Sequence, residues 1–308
     1  MAKRRSMNTE TCCCIILNYN DSETTKALVE KIRSFVSIQY IVVVDNHSTD
    51  DSYGNLQSCA SDRVHICQTD RNGGYGYGNN FGVRYAREHF QSSYCLIANP
   101  DVSFDNGLVA HLLDQMKREP EIGVCSAIQT DRDGKETRQS AWPIPGVWKY
   151  MLSQGSFFRF WNRYYYYSQS YLHSDDRVPV DCVAGSLLMV SAEAFLRCGG
   201  YDEDIFLYCE ETVLGCKMKE NGYRCVLCSD VSYRHLHGVS IGKSVSSAVG
   251  RKKLLVRSHR LVLRRYLHAN RFERAVDAVL CRISIWETTL AGAVRKIIWK
   301  IKGGRNGK

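Results

Sequence analysis

The chain has 308 residues, 44% of them hydrophobic, and five prolines. This suits one large or two modest globular domains and argues against long disordered linkers. Its formal charge of +9 is uneven: from Ser246 onward there are 16 Lys/Arg and 3 Asp/Glu, against 25 and 29 in the rest. A basic tail points to an anionic surface, lipid head groups or nucleic acid, and the mildly acidic remainder argues against nucleic acid. The 14 cysteines form no Cys/His cluster of zinc spacing. Cys12, Cys13 and Cys14 lie in an apolar run, so at least one of these thiols is expected to be buried as a small hydrophobe. The run after the basic start is too short for a signal peptide, and no stretch approaches the roughly 18 apolar residues of a spanning helix. The expectation is a reduced, cytoplasmic protein.

In chain order, Cys12 to Leu17 reads as a strand buried on both faces. Asn18-Tyr19-Asn20 follows, and Asp21 or Ser22 can cap a helix whose Leu28, Ile32 and Phe35 share a face. Tyr40 to Val44 is a second strand, stopping at Asp45-Asn46-His47-Ser48. A capped segment starts near Asp50, and Val64 to Cys67 is a third strand. A glycine-rich turn from Arg71 runs into a helix, then a strand from Tyr94 to Ala98 ends in Asn99-Pro100-Asp101. A helix over Gly107 to Arg118 and a strand over Gly123 to Ile128 follow. Such alternation predicts a parallel sheet with ligands beyond the carboxyl ends of its strands. The aromatic stretch 142–167 is irregular. Regular structure returns at Val180, with helices from Ser191 and over Glu210 to Asn221, a strand over Arg224 to Leu227, and a basic helical tail from Ser246. Gly222 is placed to end the Glu210 helix as its C-cap.

Several residues carry two readings each. Asp45 can accept a hydrogen bond from a nucleotide or serve a turn. Gly73, Gly74, Gly76, Gly78 and Gly82 match neither a Walker loop nor the dinucleotide fingerprint in its usual place. They let backbone approach a ligand at a helix N-terminus, or make a flexible turn. Asn99-Pro100-Asp101, with Asp105 four residues on, is either turn chemistry or a carboxylate for a hard cation. Glu210-Glu211 either favours a helix dipole or supplies a general base. His235 and His237 would share a strand face and reach a metal or phosphate, or are structural.

The order of these blocks resembles the family 2 inverting glycosyltransferases of the GT-A fold, and within them the rhamnosyltransferase-like branch. IILNYN at 15–20, IVVVDNHSTDDS at 41–52, RNGGYGYGNNFGV at 71–83, NPDV at 99–102, DCVAGSLLMVSAEAFLRCGGYDEDIFLYCEE at 181–211 and HLHGVS at 235–240 carry the resemblance, over roughly residues 12–240. It implies an α/β GT-A fold, with a Rossmann-like, mostly parallel central sheet flanked by helices and a helical C-terminal extension. The expected division is a catalytic domain at 1–245 and a basic amphipathic region at 246–308. The implied nucleotide-sugar contacts are Asn18, Asn20, Asp45, Asn46, Ser48, Asn72, Gly73, Gly74, Gly78, Asn79 and Asn99. Asp101 matches the metal ligand, with His235 and His237 beside it, for Mg²⁺ or Mn²⁺. Gly185 and Ser186 fall in the acceptor segment. The family has Glu-Asp where this chain has Glu210-Glu211, so Glu211 takes the base position and Glu210 stays open. After that pair the family continues Asp-x-Asp-Leu, whereas this chain has Thr212-Val213-Leu214-Gly215.

The implied reaction moves a sugar, rhamnose from dTDP-rhamnose being one candidate and the sequence naming none, onto a hydroxyl of a glycan or polyprenyl-linked glycan in cell-surface polysaccharide synthesis. Val276, Leu280, Ile283, Leu290, Ile297 and Ile301, interrupted by Arg274, Arg282, Arg295, Lys296 and Lys300, suit a helix on the cytoplasmic face of a membrane, or one packed on the catalytic domain. Two alternatives stay open: a catalytically silent nucleotide-sugar-binding scaffold, and a sugar-nucleotide pyrophosphorylase. The latter is expected to carry a glycine- and basic-rich loop where Asn18-Tyr19-Asn20-Asp21 stands.

Overall fold

The computed structural model describes residues 11–153, 165–236 and 247–303, with side chains described as far as Val294. His237, the rest of the late motif, Phe157, Phe158, Trp161 and Tyr164 lie outside the described residues, as do the side chains of the tail from Arg295 onward.

The first third alternates strand and helix. β1 (Cys12–Asn18), α1 (Ser22–Ile32), β2 (Tyr40–Asp45), α2 (Ser52–Leu56), β3 (Val64–Gln68), α3 (Tyr75–Phe90) and β4 (Tyr94–Ala98) follow in turn. Their strands pair in parallel in the order β3-β2-β1-β4. β1 is central because both its faces are apolar. Cys12, Cys14 and Ile16 join one core cluster with Leu28, Val29 and Ile32 of α1; Cys13 and Ile15 join another with Val83 and Ala86 of α3. All three thiols are therefore buried, through the period-two alternation of a strand. Gly82 allows α3 to lie close: a Cβ there would stand 2.4 Å from Ile15 Cγ2.

The chain continues through β5 (Val102–Ser103), α4 (Asn106–Arg118), β6 (Ile122–Thr130), β7 (Ala141–Trp142), α5 (Val147–Leu152), α6 (Gln169–Leu172), β8 (Arg177–Val180), β9 (Cys182–Val183), β10 (Leu187–Ser191), α7 (Ala192–Arg197), α8 (Glu210–Glu220) and β11 (Arg224–His235). The sheet runs on as β4-β10-β6-β11-β5, with β8 on β11 and a separate β7-β9 ribbon. β10 is antiparallel to both neighbours, which departs from a wholly parallel sheet. Leu187 to Val190 are fully buried, and an apolar run of that kind does not encode strand direction. The strand expected over Arg224 to Leu227 extends to His235, where it pairs with Val102. Asp105 caps α4, accepting from Leu108 N at 2.8 Å.

The tail folds as α9 (Ala248–Arg265) and α10 (Arg271–Gly303). Val262, Leu263 and Ala269 share a third cluster with Tyr150, Met151, Ile205 and Val213, and Val276 and Leu280 pack against it. Buried His259 donates from Nε2 to Asp277 Oδ1 at 2.8 Å, tying α9 to α10, and stacks on Tyr150 of α5 at 4.2 Å.

Candidate active site

The carboxyl ends of β1, β2 and β4 meet the start of β10, where Asn99 N donates to Ser186 O at 2.8 Å. A cavity of about 510 Å³ opens there. Asn46, Asn72, Gly74, Asn99, Gly185, Ser186, Glu210, Glu211 and His235 line it. Asn18, Asn20, Asp45, Ser48, Gly73, Gly78, Asn79 and Asp101 are not in its wall.

Asp45 is fully buried. Its carboxylate accepts from Asn18 Nδ2 at 2.8 Å, Ser48 N at 3.0 Å, Ser48 Oγ at 2.5 Å and Gln68 Nε2 at 3.0 Å. Asn20 N donates to the same Ser48 Oγ at 2.9 Å. These bonds fix the turn after β2 and set Asn46 at the cavity. Asn46 Nδ2 reaches Asn72 Oδ1 at 3.1 Å and Gly74 O at 3.0 Å. Asn79 serves α3 itself, donating to Tyr75 O at 3.0 Å, and Gly78 packs on Leu17.

Gly74 joins this loop to the segment that leads into Glu210-Glu211. It has φ +92°, and a Cβ there would stand 2.0 Å from Phe206 O, the carbonyl that accepts from Tyr75 N at 3.0 Å. Strained backbone costs about 1–3 kcal/mol per residue before any overlap is counted. Gly74→Ala is therefore expected to lose about 3 kcal/mol or more in urea unfolding; a loss under about 0.5 kcal/mol, the range of an ordinary surface change, would contradict this packing.

Asp101 is buried just behind the wall, 5% exposed. Its Oδ1 makes no hydrogen bond and lies 3.2 Å from His235 Nε2. The register of β11 with β5 delivers His235 to that place. A buried carboxylate oxygen without a donor, beside an imidazole, suits a hard divalent cation that also takes phosphate oxygens.

The acidic pair opens α8 and is aimed by strained backbone. Tyr208 and Cys209 both have positive φ, 73° and 72°, a conformation L-residues keep only when their surroundings impose it. Here Ser258 Oγ of α9 donates to Leu207 O at 2.7 Å, and Cys209 packs against the third apolar cluster. Glu211 lies over Gly185, where a Cβ would stand 2.8 Å from its Oε1, and Tyr75 OH holds Gly185 O at 2.6 Å. Burial raises the Glu211 pKa, and N–H groups of its own backbone and of Gly185 oppose that rise. Trp142 and Tyr166 line the same cavity, edge to face at 6.2 Å, and Trp142 Nε1 donates to Thr212 Oγ1 at 3.2 Å. The irregular aromatic stretch thus contributes two rings beside Glu211.

Glu210 is 4% exposed and its Oε1 has no hydrogen-bond partner. Burial first, and the Glu211 charge second, raise its pKa well above 4.5. A carboxyl easier to protonate in the folded state binds more protons folded than unfolded between those two pKa values, so stability falls as pH rises through that window. Glu210→Gln removes this titration. It should be more stable than wild type near pH 8, with a flatter unfolding profile from about pH 5 upward. A variant less stable near pH 8 that keeps the wild-type slope would contradict the assignment.

Sequence reasoning missed Gln129 and Tyr233, which hold Ser186: Ser186 Oγ donates to Gln129 Oε1 at 2.9 Å and lies 2.7 Å from Tyr233 OH. It also missed Tyr75 and the Tyr208-Cys209 strain. Only the position of Tyr75 inside the glycine block could have suggested the first of these, since backbone sign leaves no trace in side-chain identity.

The architecture defines the class. It is that of the GT-A glycosyltransferases. The chain superposes on GalNAc-T7, solved with UDP, GalNAc and Mn²⁺, with TM-score 0.59 and 15% identity over 87% of this chain and 51% of that one. The chain spans about half the length of that structure. It also superposes on the mannosyltransferase PcManGT of Pyrobaculum calidifontis, solved with GDP-Man and Mn²⁺, with TM-score 0.55 and 16% identity over 96% and 82%. At these identities the likeness carries the fold alone. Residues 13–193 match the family model Glycosyl transferase family 2, and the chain belongs to that family. The N-acetylglucosaminyl-diphospho-decaprenol L-rhamnosyltransferase of Mycobacterium tuberculosis is 30% identical to it over 222 residues, 67% of this chain and 69% of that protein.

Proposed function

We propose that this chain transfers a sugar from a nucleotide-sugar donor to a hydroxyl of a glycan or lipid-linked glycan, inverting the anomeric centre. The observation that carries the reading is a single cavity lined by both the Asn46–Asn72–Gly74 loops and Glu211. The loops contact the donor nucleotide. Asn18, Asn20, Asp45 and Ser48 hold the first of them in place. Glu211 takes the proton of the acceptor hydroxyl, and its raised pKa brings its basicity closer to that task. Trp142 and Tyr166 offer apolar faces to the acceptor and exclude water. Asp101 and His235 would hold Mg²⁺ or Mn²⁺, which when bound stabilises charge on a departing diphosphate. The reacting unit is residues 1–245, and from the basic region 246–308 α9 and the start of α10 pack against it.

The relative's printed sugar and acceptor support testing dTDP-rhamnose with a polyprenyl-diphosphate-linked N-acetylglucosamine first; with such an acceptor the reaction would run at the cytoplasmic face of a membrane. A ligand at a hundred times its Kd stabilises a fold by about 2.7 kcal/mol. Thermal melts with a panel of sugar nucleotides and Mn²⁺ should show a metal-dependent rise with one nucleotide class. No rise with any of them would overturn the reading.

A further inference from the structure

We infer that α9 and α10 form a docking face for an anionic lipid leaflet, with α10 lying in the interface. This goes beyond the transfer reaction and depends on none of its steps.

Two faces of the tail carry the inference. On α10, Phe272, Val279, Ile283, Trp286, Leu290 and Val294 are 45–67% exposed. At 100° per residue their spacing places them on one stripe. This is not the side that packs inward, which Val276, Asp277, Leu280 and Cys281 supply. Isolated exposed apolar residues need no explanation, but an aligned row of six on one helix marks a contact surface. On α9, Lys253, Arg257, Arg260 and Arg264 recur at helical spacing and border a groove that Arg274 and Ile285 of α10 close. Among the described residues, Lys253, Arg257 and Arg264 have no carboxylate within ion-pair distance.

Charge selects the occupant. The region from Ser246 carries 16 cations against 3 acids, whereas the rest of the chain is net acidic. A second copy of this chain would bring the same unpaired cations to the contact. At 100° per residue Arg274 and Ile285 fall on the opposite flank of α10 from Phe272 and Leu290, so the basic groove stands behind the apolar stripe. A leaflet that the stripe enters meets apolar side chains first and feels the cations across the width of one helix, roughly 10 Å and so about a Debye length. No helix among the described residues is long and apolar enough to cross a membrane, so α10 lies along the surface.

The test uses the full chain with vesicles of phosphatidylcholine alone or mixed with phosphatidylglycerol. Flotation with the mixed vesicles at low salt, reversed at high salt and absent with phosphatidylcholine, is expected. A basic residue at such a surface contributes roughly a fivefold gain in partitioning, and these act from across the helix, so the combined Lys253→Gln, Arg257→Gln, Arg264→Gln variant should bind on the order of tenfold more weakly at low salt. Ile283→Ser with Leu290→Ser should also lose binding. Both variants change exposed side chains, so their melts should match wild type. Failure of wild type to float, or equal flotation with both vesicle types, overturns the inference. So does a wild-type dimer in light scattering that the Ile283/Leu290 variant dissolves while neither protein binds vesicles. Donor-induced melting shifts are read separately, so a failure here leaves the transfer reading standing.

Discussion

Glu211→Gln should lower the rate of sugar transfer by about 10²–10⁴-fold, the usual contribution of a positioned general base, while donor binding stays near wild type. The two effects separate because Glu211 sits over Gly185 beside the aromatic wall, whereas the donor loops are held by Asp45, Asn46 and Gly74. Glutamine keeps the shape and loses only the proton-accepting charge. The same substitution also relieves Glu210 of a neighbouring negative charge, which is part of what raises the Glu210 pKa. If Glu210 were the base, Glu211→Gln would leave substantial turnover and Glu210→Gln would abolish it. Steady-state kinetics of both variants, with donor affinity measured by melting shift, decides between them.

Asp101→Asn should abolish the metal-dependent part of donor binding. The aspartate oxygen lies in a nearly closed site, beside His235 Nε2 at 3.2 Å and with no hydrogen bond of its own. Asparagine matches its size but carries no charge, so it binds a hard cation far less well. The expected result is a donor-induced melting shift that no longer responds to Mn²⁺, and transfer reduced by about three orders of magnitude, of the kind seen when transition-state charge loses a stabilising group. An unchanged Mn²⁺ response would move the metal elsewhere. Substituting Asp105 should leave that response intact, because its carboxylate caps α4.

Much of this was legible in the sequence, for identifiable reasons. Strands buried on both faces read as unbroken apolar runs, so β1, β2 and β4 were found, and with them the residues just past their ends. The same property hid the direction of β10: Leu187 to Val190 look like any buried strand, and only pairing shows that they run against β4 and β6. Asp45 was legible as a strand-end carboxylate, but its four internal hydrogen bonds were not, since Gln68 comes from another strand. Of the two readings of the tail, packing on the body is seen for part of α10. Val276 and Leu280 pack on the body while Ile283 and Leu290 face outward, and a periodic pattern alone cannot say which apolar residues of one helix are covered. The left-handed backbone at Tyr208 and Cys209 was invisible, because neither residue type signals it.

The most direct measurement is the anomeric configuration of the sugar in the first product formed, read by NMR after incubating the chain with Mn²⁺, dTDP-rhamnose and a polyprenyl-linked glycan acceptor. A single displacement driven by Glu211 gives an inverted linkage and one nucleoside diphosphate per sugar transferred. A retained configuration, or no nucleoside diphosphate released from any sugar nucleotide offered, would contradict it.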